Sequence, residues 1–207
     1  MIDLPAIAAL ALRCQSLAML EAIVSPEDRE MRLYSFDAHW APGERMASMR
    51  NGLGDECFIW WSAAGAAIQV FDHERPGDTA LLAHIRQALP IALAGVLDEP
   101  AFSPDDCTAF AWCVGGDQPW QILGDWDQLL IDELGLLSAS VDVSQQYADW
   151  AQDYWELPLP MPGIAAVFAH QGLSQALVQS LNRETCLTDV TAEAHAIGYP
   201  IAPGSSF

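Results

Sequence analysis

The chain of 207 residues has no lysine, and its eight arginines stand against 28 aspartates and glutamates, a formal net charge of −20. That shortage of positive charge excludes partners. Nucleic-acid binding depends on lysine and arginine neutralising phosphates, so DNA and RNA are not expected ligands. Anionic membrane surfaces are disfavoured for the same reason. Paired cysteines are also missing. Cys14, Cys57, Cys107, Cys113 and Cys186 are an odd number without metal-ligand spacing. They are expected to be reduced, mostly buried thiols in a cytoplasmic protein. Met1-Ile2-Asp3 carries no basic leader, and the apolar segment after it is interrupted by Arg13, Gln15 and Glu21. No signal segment or membrane span is expected there. There is no His-Glu-x-x-His, Cys-x-x-Cys, EF-hand loop or Gly-x-Ser-x-Gly elbow. On that ground no catalytic residue, metal ligand or cofactor is assigned from motifs.

What is present is a strongly apolar chain, 52% hydrophobic with eight tryptophans. That is enough for one domain with a sizeable core. The most legible stretch is Met46 to Glu74. Cys57-Phe58-Ile59-Trp60-Trp61 is too short for a typical helix and apolar on both faces, so it is expected to be a covered strand. Ser62 to Gly65 turns it back, and Ala66 to Phe71 is the return strand. Met46 to Arg50, closed by Asn51-Gly52, adds a third. Arg29 to Trp40 adds a fourth by its alternation.

The remaining chain is expected to supply more sheet at 107–123. Helices are expected at 4–24, 79–97, 125–137, 144–156 and, as two short pieces, within 174–196. The first is capped by Asp3 with Pro5 in its first turn, and the second by Asp78. Leu157 to Pro162 is expected to be extended chain packed on the domain, and the tail after Tyr199 loose. The whole, 1–207, is a single α+β domain. Its antiparallel sheet has about four to six strands, with the meander at about 30–72, flanked by N-terminal and C-terminal helices.

Two groups of side chains have chemical potential. The first is a polar cluster at the strand ends: Arg50, Asn51, Asp55, Glu56, Asp72, His73 and Glu74. Strand direction puts Glu56 and Asp72 at the same end of the hairpin, so the two groups of acids are expected to be neighbours. Imidazole with carboxylates suits a transition metal, with His39 or Asp55 as further ligands, but adjacent strand residues point to opposite faces. Gly52-Leu53-Gly54 lacks a third glycine and opens no helix. It is expected to be a turn, tied by Arg50 to Asp55 or Glu56. Cys57 with His73 has the types of a nucleophile and base, but Cys57 sits in an apolar run that leaves a thiol inert.

The second group comes from a charge asymmetry. Residues 87–182 hold 13 acids and no basic residue, whereas seven arginines lie within 1–86. Between 117 and 156 the acids alternate with aromatic rings. Asp117, Trp120, Asp125, Trp126, Asp127, Asp132 and Trp150 are the expected binding residues. Aromatic anchors in an acidic rim fit a basic protein partner.

Residues 46–56 (Met-Ala-Ser-Met-Arg-Asn-Gly-x-Gly-Asp-Glu), the aromatic strand, Phe71-Asp72-His73-Glu74, Leu97 to Phe102, Tyr147 to Glu156 and Gly198-Tyr199-Pro200 together resemble a bacterial protein family. The resemblance covers most of the chain. It implies no activity and no catalytic residues. The expectation is therefore a non-enzymatic cytoplasmic binding protein, immunity- or antitoxin-like, that holds a basic protein through its acidic face. The alternative is an enzyme, hydrolytic or metal-dependent, working near Asp55, Glu56 and Asp72-His73-Glu74.

Overall fold

A computed structural model describes residues 3–75, 79–116, 118–126, 132 and 134–203. Six strands form one antiparallel meander: β1 (Tyr34–Ala41), β2 (Glu44–Arg50), β3 (Glu56–Ser62), β4 (Gly65–Phe71), β5 (Ala109–Val114) and β6 (Gln121–Gly124). Their order in the sheet is their order in the chain. Among the described residues the α-helices are α1 (Ile7–Val24), α2 (Thr79–Ala88), α3 (Val143–Tyr154), α4 (Met161–Phe168), α5 (Gln175–Leu181) and α6 (Leu187–Ile197). The class is α+β.

The sheet is covered on both faces. Cys57, Ile59 and Trp61 join Ala66, Ile68 and Val70 in a large core with α1 and α3 to α6. Phe58, Trp60 and Phe110 join a smaller core with α2 and the 3₁₀ segments Ile91–Asp98 and Pro100–Phe102. That is why the interior of β3, Cys57 to Trp61, is apolar on both faces. Its two tryptophans are matched across the ladder by the smallest side chains, Trp60 opposite Ala67 and Trp61 opposite Ala66. A large ring facing a methyl lets a close-packed layer form without strain.

α1 is buried almost all round. By length and apolarity it meets the requirement for a membrane span, but 72% of it is buried inside the fold, as in the central helix of a core. Its one acid, Glu21, is fully buried and accepts three hydrogen bonds from three parts of the chain. They come from the Leu33 amide (2.9 Å), the Tyr147 hydroxyl (2.9 Å) and the Trp155 indole (3.2 Å). Burial pushes this carboxyl up to about 7, although the three donors and Arg32 pull the other way.

Several expectations at element ends are corrected. α1 starts at Ile7 and has no side-chain cap, because the segment before it stays extended; Ala6 has ψ 143°. Leu4 precedes a proline, which disfavours helical geometry, and the Asp3 carbonyl instead accepts from the Ala139 amide at 2.7 Å. The first strand begins at Tyr34, not Arg29. Arg29–Met31 is a 3₁₀ turn, curled back because Arg32 donates to the Ser25 and Pro26 carbonyls (2.8 and 2.9 Å). The helix expected at 125–137 is not found in its described residues. Gly135 has φ 64°, and the Leu136, Ser138 and Val141 carbonyls accept from the Arg13 guanidinium. The tail is tied down as far as Ala202, whose amide donates to the Leu173 carbonyl at 2.9 Å. Asp78, the expected cap of α2, lies outside the described residues.

The tightest turn in the meander makes a test. Gly65 has φ 148°, and a Cβ there would lie 2.0 Å from the Cys113 carbonyl oxygen on β5. Gly43, in the β1–β2 turn at φ 81°, has open space around it. Gly65→Ala should therefore cost at least about 2 kcal/mol, because backbone must move, whereas Gly43→Ala should cost about 1 kcal/mol of conformational strain alone. Urea unfolding of both variants checks this. Equal losses would show that β4 and β5 do not approach as described.

Candidate functional site

The polar cluster assembles at one end of the sheet. Glu56 pairs with Phe71 in the β3–β4 ladder, so the loop before β3 meets the chain leaving β4. Asp55 is the centre. Its side chain is 2% exposed. One carboxylate oxygen accepts both the His73 amide (2.9 Å) and the His73 Nδ1–H (2.7 Å). The other accepts from the Asn51 amide group at 2.6 Å. Asn51 returns a carbonyl oxygen to the amides of Leu53 (2.9 Å) and Asp55 (3.2 Å). The Gly-x-Gly loop is thus closed on its own side chains, and two of its amides are already spent, which removes a phosphate cradle. Arg50 pairs with Glu56 (2.9 Å) and not Asp55. That pair is exposed and contributes little.

Burial pushes the Asp55 carboxyl up, but the bonds from the His73 amide, its imidazole and Asn51 outweigh burial and leave the group below its usual value. The same carboxylate raises His73 above the ordinary 6.5. The pair is an imidazole held by Nδ1 with the rest of an exposed ring outside. Such a ring can give or take a proton at Nε2.

Asp72 continues the network. Its oxygens accept from the Glu74 amide (3.0 Å) and Arg75 Nε (2.9 Å), and Arg75 Nη1 reaches Asp125 at 2.8 Å. Asp55, Asp72 and His73 bring potential ligand atoms within 4.8 Å of one another and are the described residues able to hold a cation. An ion there would have to displace N–H donors from both carboxylates and sit beside a guanidinium, an arrangement that disfavours positive charge. His39 does not join them. It follows Asp37, which pairs with Met46, at the opposite end of the sheet. Cys57 lies in the β3 interior opposite Val70, and burial pushes its thiol well above the ordinary range, so it is not a nucleophile. Beside Arg75 a cleft of about 500 Å³ is lined by Leu81, His84, Thr108 and Asp125.

The acidic, aromatic stretch is rearranged relative to expectation. Trp120, Trp126 and Trp150 are half-buried against the large core. Trp120 donates to the Pro5 carbonyl (2.8 Å) and Trp126 to the Leu123 carbonyl (2.9 Å). Trp150 packs among Tyr34, Tyr147 and Tyr154. Asp125 is paired with Arg75, so the segment has a cation after all, supplied from β4's exit. Asp132 turns inward; burial pushes it up to about 7, and its Oδ1 has no hydrogen-bond partner among the described residues. Asp117 and Asp127 lie outside the described residues.

What the outer surface carries instead is one side of α3. Asp149 and Asp153 fall on one stripe of the helix, with Asp142 at its N-cap and Glu156 two residues past its last residue, and all four are exposed. Asp142 caps the helix by accepting from the Ser144 and Gln145 amides. None of the four is in an ion pair among the described residues. Tyr154, Leu157 and Met31 are exposed beside them, at 37%, 38% and 48%, and the Tyr154 hydroxyl donates to the Met31 carbonyl at 3.2 Å. Periodicity signalled this stripe in the sequence, and it was obscured by the brighter tryptophans upstream. Comparison with family models, curated proteins and solved structures finds no match for this chain.

Linkage gives the knot a pH window. Folding raises the His73 midpoint, so that contribution is complete below about 6.5 and fades as pH rises through the folded midpoint. Folding lowers Asp55, so its contribution is present above the ordinary 3.8 and is lost as pH falls through the folded midpoint. By NMR, the His73 ring should titrate above 6.5, and Asp55→Asn should bring the midpoint down. An unchanged midpoint in the variant would contradict the assignment.

Proposed function

We propose that this is a non-catalytic binding protein that holds a basic protein partner through the outer face of α3, in the manner of an immunity or antitoxin protein. The observation that carries the reading is the exposed stripe of Asp149 and Asp153, flanked by Asp142 at the N-cap and Glu156 past the helix end, and bordered by exposed Tyr154, Leu157 and Met31. Asp149 and Asp153 are one turn apart. Like charges at that spacing repel by a few tenths of a kcal/mol. A stripe that costs stability, next to apolar side chains left in water, is relieved when a cationic surface covers it. The net charge of −20 adds long-range steering of a basic partner.

In this reading the Asp55–His73 pair is a clasp. It joins the loop before β3 to the exit of β4 and performs no chemistry. The cytoplasm is the compartment proposed, on the ground of five unpaired thiols, four of them buried.

The experiment compares the protein with its Asp149→Lys/Asp153→Lys variant as bait in lysate of the source cell, at low and high salt. Expected is capture of a basic protein by the parent, its release by salt, and its loss from the variant. The variant should melt at about the same temperature, because it exchanges one exposed like-charge pair for another. Retention of the partner by a folded variant would contradict the proposed face, and an empty capture by the parent would contradict the function.

A further inference from the structure

Three of the chain's eight arginines line one small cavity at the β1–β2 edge of the sheet. The cavity, about 210 Å³, is lined by Arg29, Arg32, Arg50, Ser35, Ser48 and Glu193. It lies where the 3₁₀ turn, β1, β2 and α6 come together. Its charge runs against the rest of the molecule: three guanidiniums face a single lining carboxylate, in a chain with more than three acids for every arginine.

The guanidiniums are incompletely neutralised. Glu193 serves both Arg29 and Arg32; one oxygen bonds Arg29 Nη2, and the other is 3.4 Å from Arg32 Nη1. Arg32 is 8% exposed and its remaining donors hold the Ser25 and Pro26 carbonyls, so it is a fixed charge. Burial first, then the nearby Arg29 charge among other causes, pull it below its ordinary value. Arg29 is 72% exposed and Arg50 54%, each held by one carboxylate, Glu193 and Glu56. The Arg50 guanidinium gives Nε to Glu56, lies 5.5 Å from the Phe58 ring centre and makes no other hydrogen bond among the described residues.

The two serines add a neutral donor. Ser35 and Ser48 are paired across the β1–β2 ladder, with hydroxyl oxygens 2.7 Å apart. A hydroxyl pair uses one hydrogen between its members and leaves the other to donate elsewhere. Neither hydroxyl has another partner among the described residues. The lining therefore offers two exposed guanidiniums, one fixed guanidinium and one O–H; set against Glu193 and the Glu56 that holds Arg50, the three guanidiniums leave an excess of one positive charge.

We propose that this cavity binds a small dianionic oxyanion, a phosphate group. Planar guanidiniums bond phosphate oxygens in pairs, which is the strongest use of this donor geometry. The volume is below that of a drug-sized pocket, so it takes a head group and little more. The overall charge of −20 opposes an approaching anion, but exposed charges beyond about 8 Å are largely screened at physiological salt. The site is independent of the α3 stripe, and either stands without the other.

Calorimetric titration of the full chain with inorganic phosphate, at pH 8 and constant ionic strength set with sodium chloride, tests it. Expected is one phosphate per chain, with acetate at least about tenfold weaker. Arg29→Gln/Arg50→Gln should raise Kd at least about tenfold, since bonds to charged groups carry that much. Ser48→Ala, a nearly isosteric change that the fold tolerates, should weaken binding several-fold. It serves as the test if the arginine variant fails to melt cooperatively. No binding by the parent, equal affinity for acetate, or undiminished binding by a folded variant would each overturn the proposal.

Discussion

The carboxylate of Glu21 is the interaction on which the arrangement of this molecule depends. It lies in the middle of the large core, on a helix otherwise apolar nearly all round. A bare carboxylate cannot stay there, because desolvation of an unpaired charge is among the largest penalties in a protein interior. The fold answers with the Leu33 backbone amide just before β1 and two side-chain donors, Tyr147 in the first half of α3 and Trp155 at its C-cap. Each donor fixes an element. The Leu33 bond sets where the chain stops curling and begins its strand. The Tyr147 and Trp155 bonds set the rotation of α3 about its axis, and so decide which of its residues face out.

Both surfaces argued above follow from that rotation and that strand start. With Tyr147 and Trp155 turned in to Glu21, Asp149 and Asp153 must face solvent. With Leu33 held, Arg32 immediately before it is fixed at the mouth of the small cavity, one turn from Arg29. The chain's charge asymmetry thereby becomes a spatial one. A buried acid sits between an exposed acidic helix on one side and a basic edge on the other. A protein so short of positive charge has few arginines to place. Arg13 satisfies the carbonyls of a loop. Arg75 bridges Asp72 and Asp125. Arg29, Arg32 and Arg50 gather at β1.

The sheet was legible because its signals are local. Asn51-Gly52, the five-residue apolar run and the alternation of Ala66 to Phe71 each specify a turn or a strand within a few residues. The same strand directions placed the acids near Asp55 beside Asp72 and His73. What was not legible depends on partners distant in sequence. Glu21 looked like a polar interruption of an apolar segment, and nothing nearby hinted that residues 126 and 134 positions later would bond to it. The cavity joins Arg29 and Arg32 to Glu193 across a similar distance. Among the described residues at the end of the expected 125–137 helix, the chain turns at Gly135 and the Leu136 carbonyl goes to Arg13, a partner more than a hundred residues away. The tryptophans upstream of α3 looked like anchors for a partner, because composition gives no direction in which a ring points. Their indole donors are spent on backbone carbonyls within the fold.

The most direct test of this account is the pH dependence of stability, measured by urea unfolding of the parent and of Glu21→Gln between pH 5 and 8. In the unfolded chain Glu21 ionises near the ordinary 4.5, and in the fold near 7. Between those values the folded state holds the extra proton, so stability falls as pH rises and levels off above about 7. The difference amounts to roughly 3 kcal/mol at about 1.4 kcal/mol per pH unit. Glutamine keeps a carbonyl oxygen for Tyr147 and Trp155 but sets an amide against the Leu33 N–H, so the variant should be weaker at pH 5. Its pH profile should be about half as steep between pH 5 and 7, because Asp132, also raised to about 7, still titrates in the same direction, as does His73. Parallel profiles for the two proteins would contradict a buried Glu21 at the centre of the fold.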